Sequence, residues 1–469
     1  MKKIIFNLFT LISIMILFYL VFDLKNTDRL TENTDKLTEN TDKLTKEHTE
    51  KNIREKKLTS LLNDKAFYLI ESSELKILNE KFQLLSYYLP FIEYHENKTK
   101  PVAYVGYVDA KTFKRNKHQI IIVSGYGETI GLNLDINESL NEKSFKNLRE
   151  DKWFKIDNNL KDISNFQTLM ESNRYGVKDI LVDGEYLYVV IAEIDLNQND
   201  KCKTIKIYRS KLGDSQLGDG GLNFNLFFNN EECTDGYNPH AAGGRLVKYS
   251  ENELILSTGD WLNEKKISQD DDNIYGKIIK INIDNPNDFI MISKGHRNPQ
   301  GLFYDKESNI LFSTEHGPTG GDEVNFINLN NNDKKNYGWP IASYGEPKDK
   351  NILYLKTHIE GGFIEPIKYF KQKYLGISNI IKIPNNFFTN QANENKIYLL
   401  SFLKGRQFIS LLFDKNYKLI NSAGLGESFD KEYISTVGTR VRDLIFIDNN
   451  NSIVFIGEDE PSINFIIRK

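Results

Sequence analysis

Apolar and polar positions change their period twice along this chain. From Ile4 to Phe22 the chain is apolar for 19 residues, broken only by Asn7, Thr10 and Ser13. A helix needs roughly 17–25 such residues to span a bilayer. Lys2 and Lys3 precede the run and no small-x-small cleavage site follows it, so residues 1–25 are expected to be a signal anchor that sends the bulk of the chain outward. Next comes "NTDRLTENTDKLTENTDKLTKE", a seven-residue repeat with Leu30, Leu37 and Leu44 in register and Thr27, Thr34 and Thr41 alongside. It reads equally as a weak coiled-coil stalk and as a polar spacer. From Asn52 to about Tyr94 apolar residues recur at roughly helical spacing, so residues 26–100 are expected to hold a heptad-repeat stalk and a helical segment.

Beyond Pro101 the period drops to two. Short runs of Val, Ile, Tyr and Phe alternate with Asn, Asp and Gly clusters, the signature of an all-β domain over 101–469. "VKDILVDGEYLYVVIAE", "GRLVKYSENELILSTGD", "QGLFYDKESNILFSTEHG" and "VRDLIFIDNNNSIVFIGED" each give a strand, a polar turn and a second strand. Weaker copies begin at Ala103 and Ile377. The later first strands fall near Ile180, Leu246, Leu302, Ile380 and Leu444, with gaps of 66, 56, 78 and 64 residues. Six units of that length are too long for a solenoid and suit the blades of a six-bladed β-propeller.

Hydrophobic content of 39% with 12% aromatics supports a real core. The 61 basic and 65 acidic residues leave a net charge of −4, which argues against a nucleic-acid partner. Cys202 and Cys233 fit no metal spacing; they form a disulfide outside the cytoplasm or stay as two buried thiols.

In a propeller, loops from distant blades meet at one channel mouth. The polar residues at the blade junctions are therefore candidates for one site: His240 and Arg245 in "NPHAAGGRL", His296, Arg297, Asn298 and Gln300 in "GHRNPQGL", and His316, Gly317, Pro318, Asp322 and Glu323 in "EHGPTGGDEVN". "NYGWP" adds Tyr337 and Trp339, "SFLKGR" adds Lys404 and Arg406, and "GTRVRDL" adds Arg440 and Arg442. So many cations at one mouth call for an anion among them, such as a ligand bearing carboxylates or phosphates. Arg440 and Arg442 share one face of an extended strand. Asp322, Glu323 and the carbonyls of the Gly-Pro turn are hard oxygens of the kind calcium prefers. His296 and His316 read as structural.

In this order the motifs resemble the pyrroloquinoline-quinone (PQQ)-dependent sugar dehydrogenases, the glucose/sorbosone dehydrogenase family, over roughly Phe166 to Lys469. The resemblance implies a six-bladed propeller that oxidises the anomeric carbon of an aldose or a related alcohol to a lactone, using PQQ and Ca2+. It implies His240 as the base, Arg297 and Asn298 as donors to the quinone oxygen, and Lys404, Arg440 and Arg442 as cofactor-binding residues. The carbonyls of Gly317 and Pro318 would hold calcium, and Glu323 and Tyr337 would belong to a second, structural calcium site. Where the family carries a cofactor-contacting Gln before G-L-L-G, this chain reads "RYGVKDI", which puts Arg174 or Tyr175 in that place. "HAAGGRL" has five residues between His240 and Leu246 where the family has four, and Ser378-Asn379 stands for the family's Ser-Gly. The implied partners are a sugar, a respiratory electron acceptor and, through the N-terminal run, the bacterial inner membrane, with the domain in the periplasm and an oligomer through the stalk. The alternative is a propeller that kept the scaffold and binds a glycan or protein without catalysis.

Overall fold

The computed structural model describes residues 69–89 and most of 102–468; residues 1–68, 90–101, 136–151, 164–175, 195–201, 214–220 and several shorter stretches lie outside that description. The apolar N-terminal run, the heptads and Arg174 are thus outside the described residues. Among the described residues no helix is long and apolar enough to cross a membrane.

The strands assemble into six sheets, one per predicted unit, antiparallel but for the short parallel pairing of Lys335–Asn336 with Phe289–Lys294. Their innermost strands are Ala103–Val108 in blade I, Gly176–Asp183 in II, Gly243–Ser250 in III, Pro299–Asp305 in IV, Ile377–Ile383 in V and Val441–Ile447 in VI. Each contacts the next, and the last contacts the first, so the ring closes. The repeat copies found in the sequence are the inner two strands of each blade. The core is divided rather than central: the apolar clusters lie between neighbouring blades, as where Val177, Ile180 and Val189 of blade II pack on Tyr104, Ile121 and Val123 of blade I. Five of the six inner strands also carry a bulge at their channel end, between Val177 and Asp179, Gly243 and Leu246, Pro299 and Gly301, Ile377 and Asn379, and Val441 and Asp443. A bulge turns one extra residue out of the pleat, which is how a blade aims a side chain into the channel.

One expectation is corrected. The stretch predicted as helical within 52–94 contains two strands, Leu69–Ile77 and Glu80–Tyr88, joined through Leu78 and Asn79 at φ 49° and 65°. Glu80–Tyr88 pairs with Ser462–Arg468, so the propeller begins by residue 69 rather than 101, and blade VI joins both ends of the domain. The physical reason is tertiary: the exposed edge of Ser462–Arg468 offers a hydrogen-bond ladder, and pairing buries Phe82, Leu84 and Tyr87. The cysteines resolve as a disulfide, Cys202–Cys233.

Candidate active site

A buried ion cluster on the propeller axis fixes the floor of the site. Arg245, the bulge residue of blade III, sends Nη1 to Asp179 of blade II at 2.9 Å and to Asp443 of blade VI at 2.7 Å. Its Nε donates to the Gln300 carbonyl in blade IV at 2.5 Å, and Nη2 to the carbonyls of Ser378 and Arg442 at 3.2 and 3.1 Å. Asp443 also accepts from the Val105 N–H of blade I at 3.0 Å and from Asn379 of blade V at 2.8 Å. One guanidinium and two carboxylates therefore tie all six inner strands together. Arg245 was expected at the channel mouth as a site residue; it is instead the axial tie, with its donors already satisfied by protein.

Cavities lie on both sides of this floor. One, of about 810 Å³, is lined by aliphatic residues such as Ile180, Leu302 and Ile380 together with charged ones such as Lys382 and Asp448, and of the predicted site residues it holds only Arg245. The other, of about 720 Å³, is lined by His240, Arg297, Asn298, Gln300, His316, Gly317, Pro318, Lys404, Arg440 and Arg442. Five motif regions separated by up to about two hundred residues thus meet in one space, within the size range of small-molecule sites.

Each side chain has a local reason for its place. Asn238 caps the short turn Pro239–Ala241, its side chain accepting from the His240 N–H at 3.0 Å, and this presents the exposed His240 at the cavity wall. Asn298 directs its amide oxygen to Gln300 Nε2 at 2.8 Å and the Gly243 N–H at 3.4 Å, leaving its NH2 as the donor for a guest. Arg297 donates from Nη1 to the His316 carbonyl at 2.9 Å and lies over the Trp339 ring at 5.3 Å. Behind it His296 is fully buried between Ser293 at 2.7 Å and Glu315 at 2.5 Å, and Glu315 also accepts the Arg297 N–H at 3.1 Å. Burial pushes Glu315 up, but His296, Asn325 and the Arg297 N–H outweigh it and hold the carboxyl below its usual range. His296 is thus structural: it braces the strand that carries Arg297. Burial, helped by Arg297 and Arg442 and opposed by Asp322, holds His316 down at about 4, so its ring is neutral at pH 7.

Two corrections concern charge. The anion that the Arg pair demands is partly supplied by the protein: Glu458, with its side chain wholly buried, takes Arg442 Nε at 2.5 Å and Arg440 Nε at 3.0 Å. Asp322, expected to offer hard oxygens, has both engaged. Oδ1 accepts from Gly317 N at 3.0 Å and Oδ2 from Gly376 and Ile377 N at 2.8 and 3.0 Å. It organises the Gly-Pro turn instead of ligating.

Two polar atoms in the residues lining the cavity lack a protein partner. Among the described residues, the buried Arg297 Nε and His316 Nε2 have no hydrogen-bond partner. Buried polar atoms of this kind are costly unless paired. Gly317 and Pro318 line the same space. Among the described residues no cluster of three or more His, Cys, Asp or Glu could hold a metal. Two carbonyls are only part of the six to eight oxygens that calcium takes, so a cation there would share its ligands with a guest and water. Glu323 and Tyr337 line a separate space of about 10 Å³, room for one water. Glu323 Oε1 lies 3.3 Å from His358 Nε2, and the Tyr337 hydroxyl donates to the Phe326 carbonyl at 2.8 Å. Gly317→Ala tests the turn: a Cβ would lie 2.0 Å from the Gly320 carbonyl oxygen. Overpacking of this kind is expected to cost about 1–3 kcal/mol. Urea denaturation should show it, and a cost below about 0.5 kcal/mol would argue against it.

Sequence reasoning did not single out Lys178, Asp179, Asp443 and Glu458. A signal existed for the first three, since "VKDI" and "VRDL" are one stretch in two copies. Glu458 carried none, because only the fold brings it under the Arg pair.

The chain is similar to known proteins. The family described as Glucose / Sorbosone dehydrogenase matches residues 150–466, and the chain belongs to that family. The Aldose sugar dehydrogenase YliI of Escherichia coli (strain K12) is 30% identical over 215 residues, 43% of this chain and 53% of that protein. The Quinoprotein glucose dehydrogenase B of Acinetobacter calcoaceticus is 39% identical over 80 residues, 15% of this chain and 16% of that one. The chain thus spans about half, or less, of the length of the curated relatives it matches. A crystal structure of a glucose dehydrogenase has the same fold, with a TM-score of 0.55 at 18% identity over 79% of this chain and 96% of the other.

Proposed function

We propose that this member of the glucose/sorbosone dehydrogenase family is a quinoprotein that oxidises the anomeric carbon of an aldose, or a related alcohol, to the lactone, with PQQ and Ca2+ as cofactors. One observation carries the reading: His240, Arg297, Asn298, Gly317, Pro318, Lys404, Arg440 and Arg442 line a single cavity whose lining residues Arg297 and His316 keep buried polar atoms that no protein group meets among the described residues. A binding module has no need to gather a proton acceptor and an anion cradle in one place. When bound, the quinone would supply the acceptor for the substrate's electron pair.

The chain's own residues have distinct tasks in this reading. His240 takes the proton of the anomeric hydroxyl, a role suited to a group that titrates near neutrality. Arg297 and Asn298 donate where negative charge develops, from positions already braced before the guest arrives. Lys404, Arg440 and Arg442 hold the cofactor, in part through its carboxylates. The Gly317 and Pro318 carbonyls hold the calcium, and Arg174 is assigned a cofactor contact by its place in the motif. Glu323 and Tyr337 are assigned to a second, structural cation through their main chain. The domain is placed on the outer face of an inner membrane, anchored by the run Ile4–Phe22 and passing electrons to a respiratory acceptor. The Cys202–Cys233 disulfide supports an oxidising compartment.

The test is to add calcium and PQQ to the full chain and follow the unfolding temperature and dye reduction across a panel of aldoses. Cofactor-dependent stabilisation with sugar-driven reduction is expected. If neither occurs, the quinoprotein reading fails and a binding propeller takes its place.

A further inference from the structure

The segment that carries His240 crosses from blade II to blade III, and both of its ends are clamped. At the blade III end, Asn238 N donates to the Trp261 carbonyl at 3.0 Å, and Trp261 N donates to the Ala241 carbonyl at 3.0 Å. Trp261 and Leu262 hold that end with φ at 56° and 57°. Bulky residues take this left-handed conformation at a cost, and it persists only where the surroundings hold it. At the blade II end, Cys233 is bonded to Cys202, the residue before strand Lys203–Lys211. Thr234 N donates to the Lys203 carbonyl at 3.0 Å, and Lys203 Nζ donates to the Gly236 carbonyl at 2.7 Å. Between the two ends, Gly236 lies so close to Trp261 that a Cβ on it would stand 2.5 Å from the Trp261 Cβ.

The two clamps differ in kind. The blade III clamp belongs to the core, where Trp261 and Ala242 are buried together with Tyr275. The blade II clamp lies at the surface, where Glu232, Cys233 and Asp235 are exposed. Hydrogen bonds beside water open locally at little cost, whereas a covalent bond stays closed. His240 follows Cys233 by only seven residues. The Trp261 turn is the strained side of the crossing, and it relies on Gly236 being held against it from the other side.

We propose that Cys202 and Cys233 are a positioning pair for His240: their bond holds the crossing against the Trp261 turn and so fixes where the imidazole stands at the cavity wall. That His240 accepts a proton rests on the function proposed above; the clamp itself does not. Neither cysteine is among the residues lining the cavity, and Arg297, Lys404, Arg440 and Arg442 are carried by blades IV to VI. Opening the disulfide should therefore move the base and leave the cations of the cavity in place. A misplacement of about 1 Å near the chemistry costs up to about 10²-fold in rate. The opening step is thiol–disulfide exchange. Dithiothreitol gives up two electrons and two protons, becomes its cyclic disulfide, and leaves Cys202 and Cys233 as thiols. The exposed position of Cys233 gives the attacking thiolate access.

The test compares three forms of the full chain: oxidised, reduced with dithiothreitol and then desalted, and the Cys233→Ser variant. Hydrogen–deuterium exchange over residues 234–236 and 238–242 is expected to speed up about tenfold or more in both altered forms, with the inner strands of the blades unchanged. With PQQ and calcium added, turnover of an aldose should fall about tenfold or more in both. KM for the sugar and affinity for PQQ should stay within about twofold of the oxidised chain, the split expected when only the base is displaced. Reoxidation of the reduced chain should restore slow exchange and turnover together, which separates a displaced turn from a damaged fold. Unchanged exchange over 234–242 overturns the proposal. So does faster exchange with unchanged turnover, or faster exchange that spreads through the strands of blade II. An oxidised chain that oxidises no sugar sinks the quinoprotein reading instead, and exchange over the same residues then decides alone whether the disulfide holds the crossing.

Discussion

Arg245→Met is expected to lower the unfolding free energy by about 3–5 kcal/mol, because removing one partner of a buried ion cluster strands the others. Here two carboxylates are stranded, those of Asp179 and Asp443, both buried on the propeller axis. The blades lose their common tie at the same time. The pH dependence gives the cause away. Burial, reinforced by Asp443 and opposed by Arg245, already pushes Asp179 up to about 7. A carboxyl raised in the folded state binds its proton more tightly there than in the unfolded chain. Its contribution to stability therefore falls as pH rises from about 4, the unfolded value, through the folded one. Without the guanidinium the upper edge of that window moves higher, so the variant's deficit should grow between pH 6 and pH 8. Urea denaturation at both values measures it. Adding Asp179→Asn and Asp443→Asn to Arg245→Met should return most of the loss, because no buried charge is then left alone. A deficit below about 1 kcal/mol that ignores pH would make the cluster a bystander.

His240→Ala is expected to lower turnover by about 10²–10⁴-fold, the usual range for a positioned proton acceptor. Cofactor affinity should change little. The variant is informative because His240 is exposed, and the backbone N–H of His240 donates to Asn238, a bond that the substitution keeps. Stability should stay within about 0.5 kcal/mol of wild type. Steady-state kinetics with PQQ-loaded protein, alongside fluorescence titration of PQQ, separates the two effects. Turnover that survives would remove His240 from the proton-accepting role.

Much of this protein was legible in its sequence, and the reason is local. Alternation of buried and exposed positions is a property of a strand by itself, so the repeated strand-turn-strand units beginning at Val177, Gly244, Gln300 and Val441 announced the blades. Motifs such as "GHRNPQGL" and "RVRD" stand out because their residues suit neither a buried strand nor an interchangeable loop. What the sequence left undetermined depends on partners far along the chain. Leu69–Tyr88 has apolar residues at spacing that also suits a helix; it is a strand pair because Ser462–Arg468, nearly four hundred residues later, offers it an open edge. Glu458 looks like one acid among many until the fold lays Arg440 and Arg442 against it. Asp322 looked like a ligand, and the backbone N–H groups of Gly317, Gly376 and Ile377 made it a brace. Lys178 sits in a stretch whose copy, "VRDL", was read for its arginine alone. Only the bulge shared by the two strands aims both cations into one cavity. Periodicity fixes which way a side chain faces on its own strand, whereas its chemical task is set by the charges and donors that ring closure brings around it.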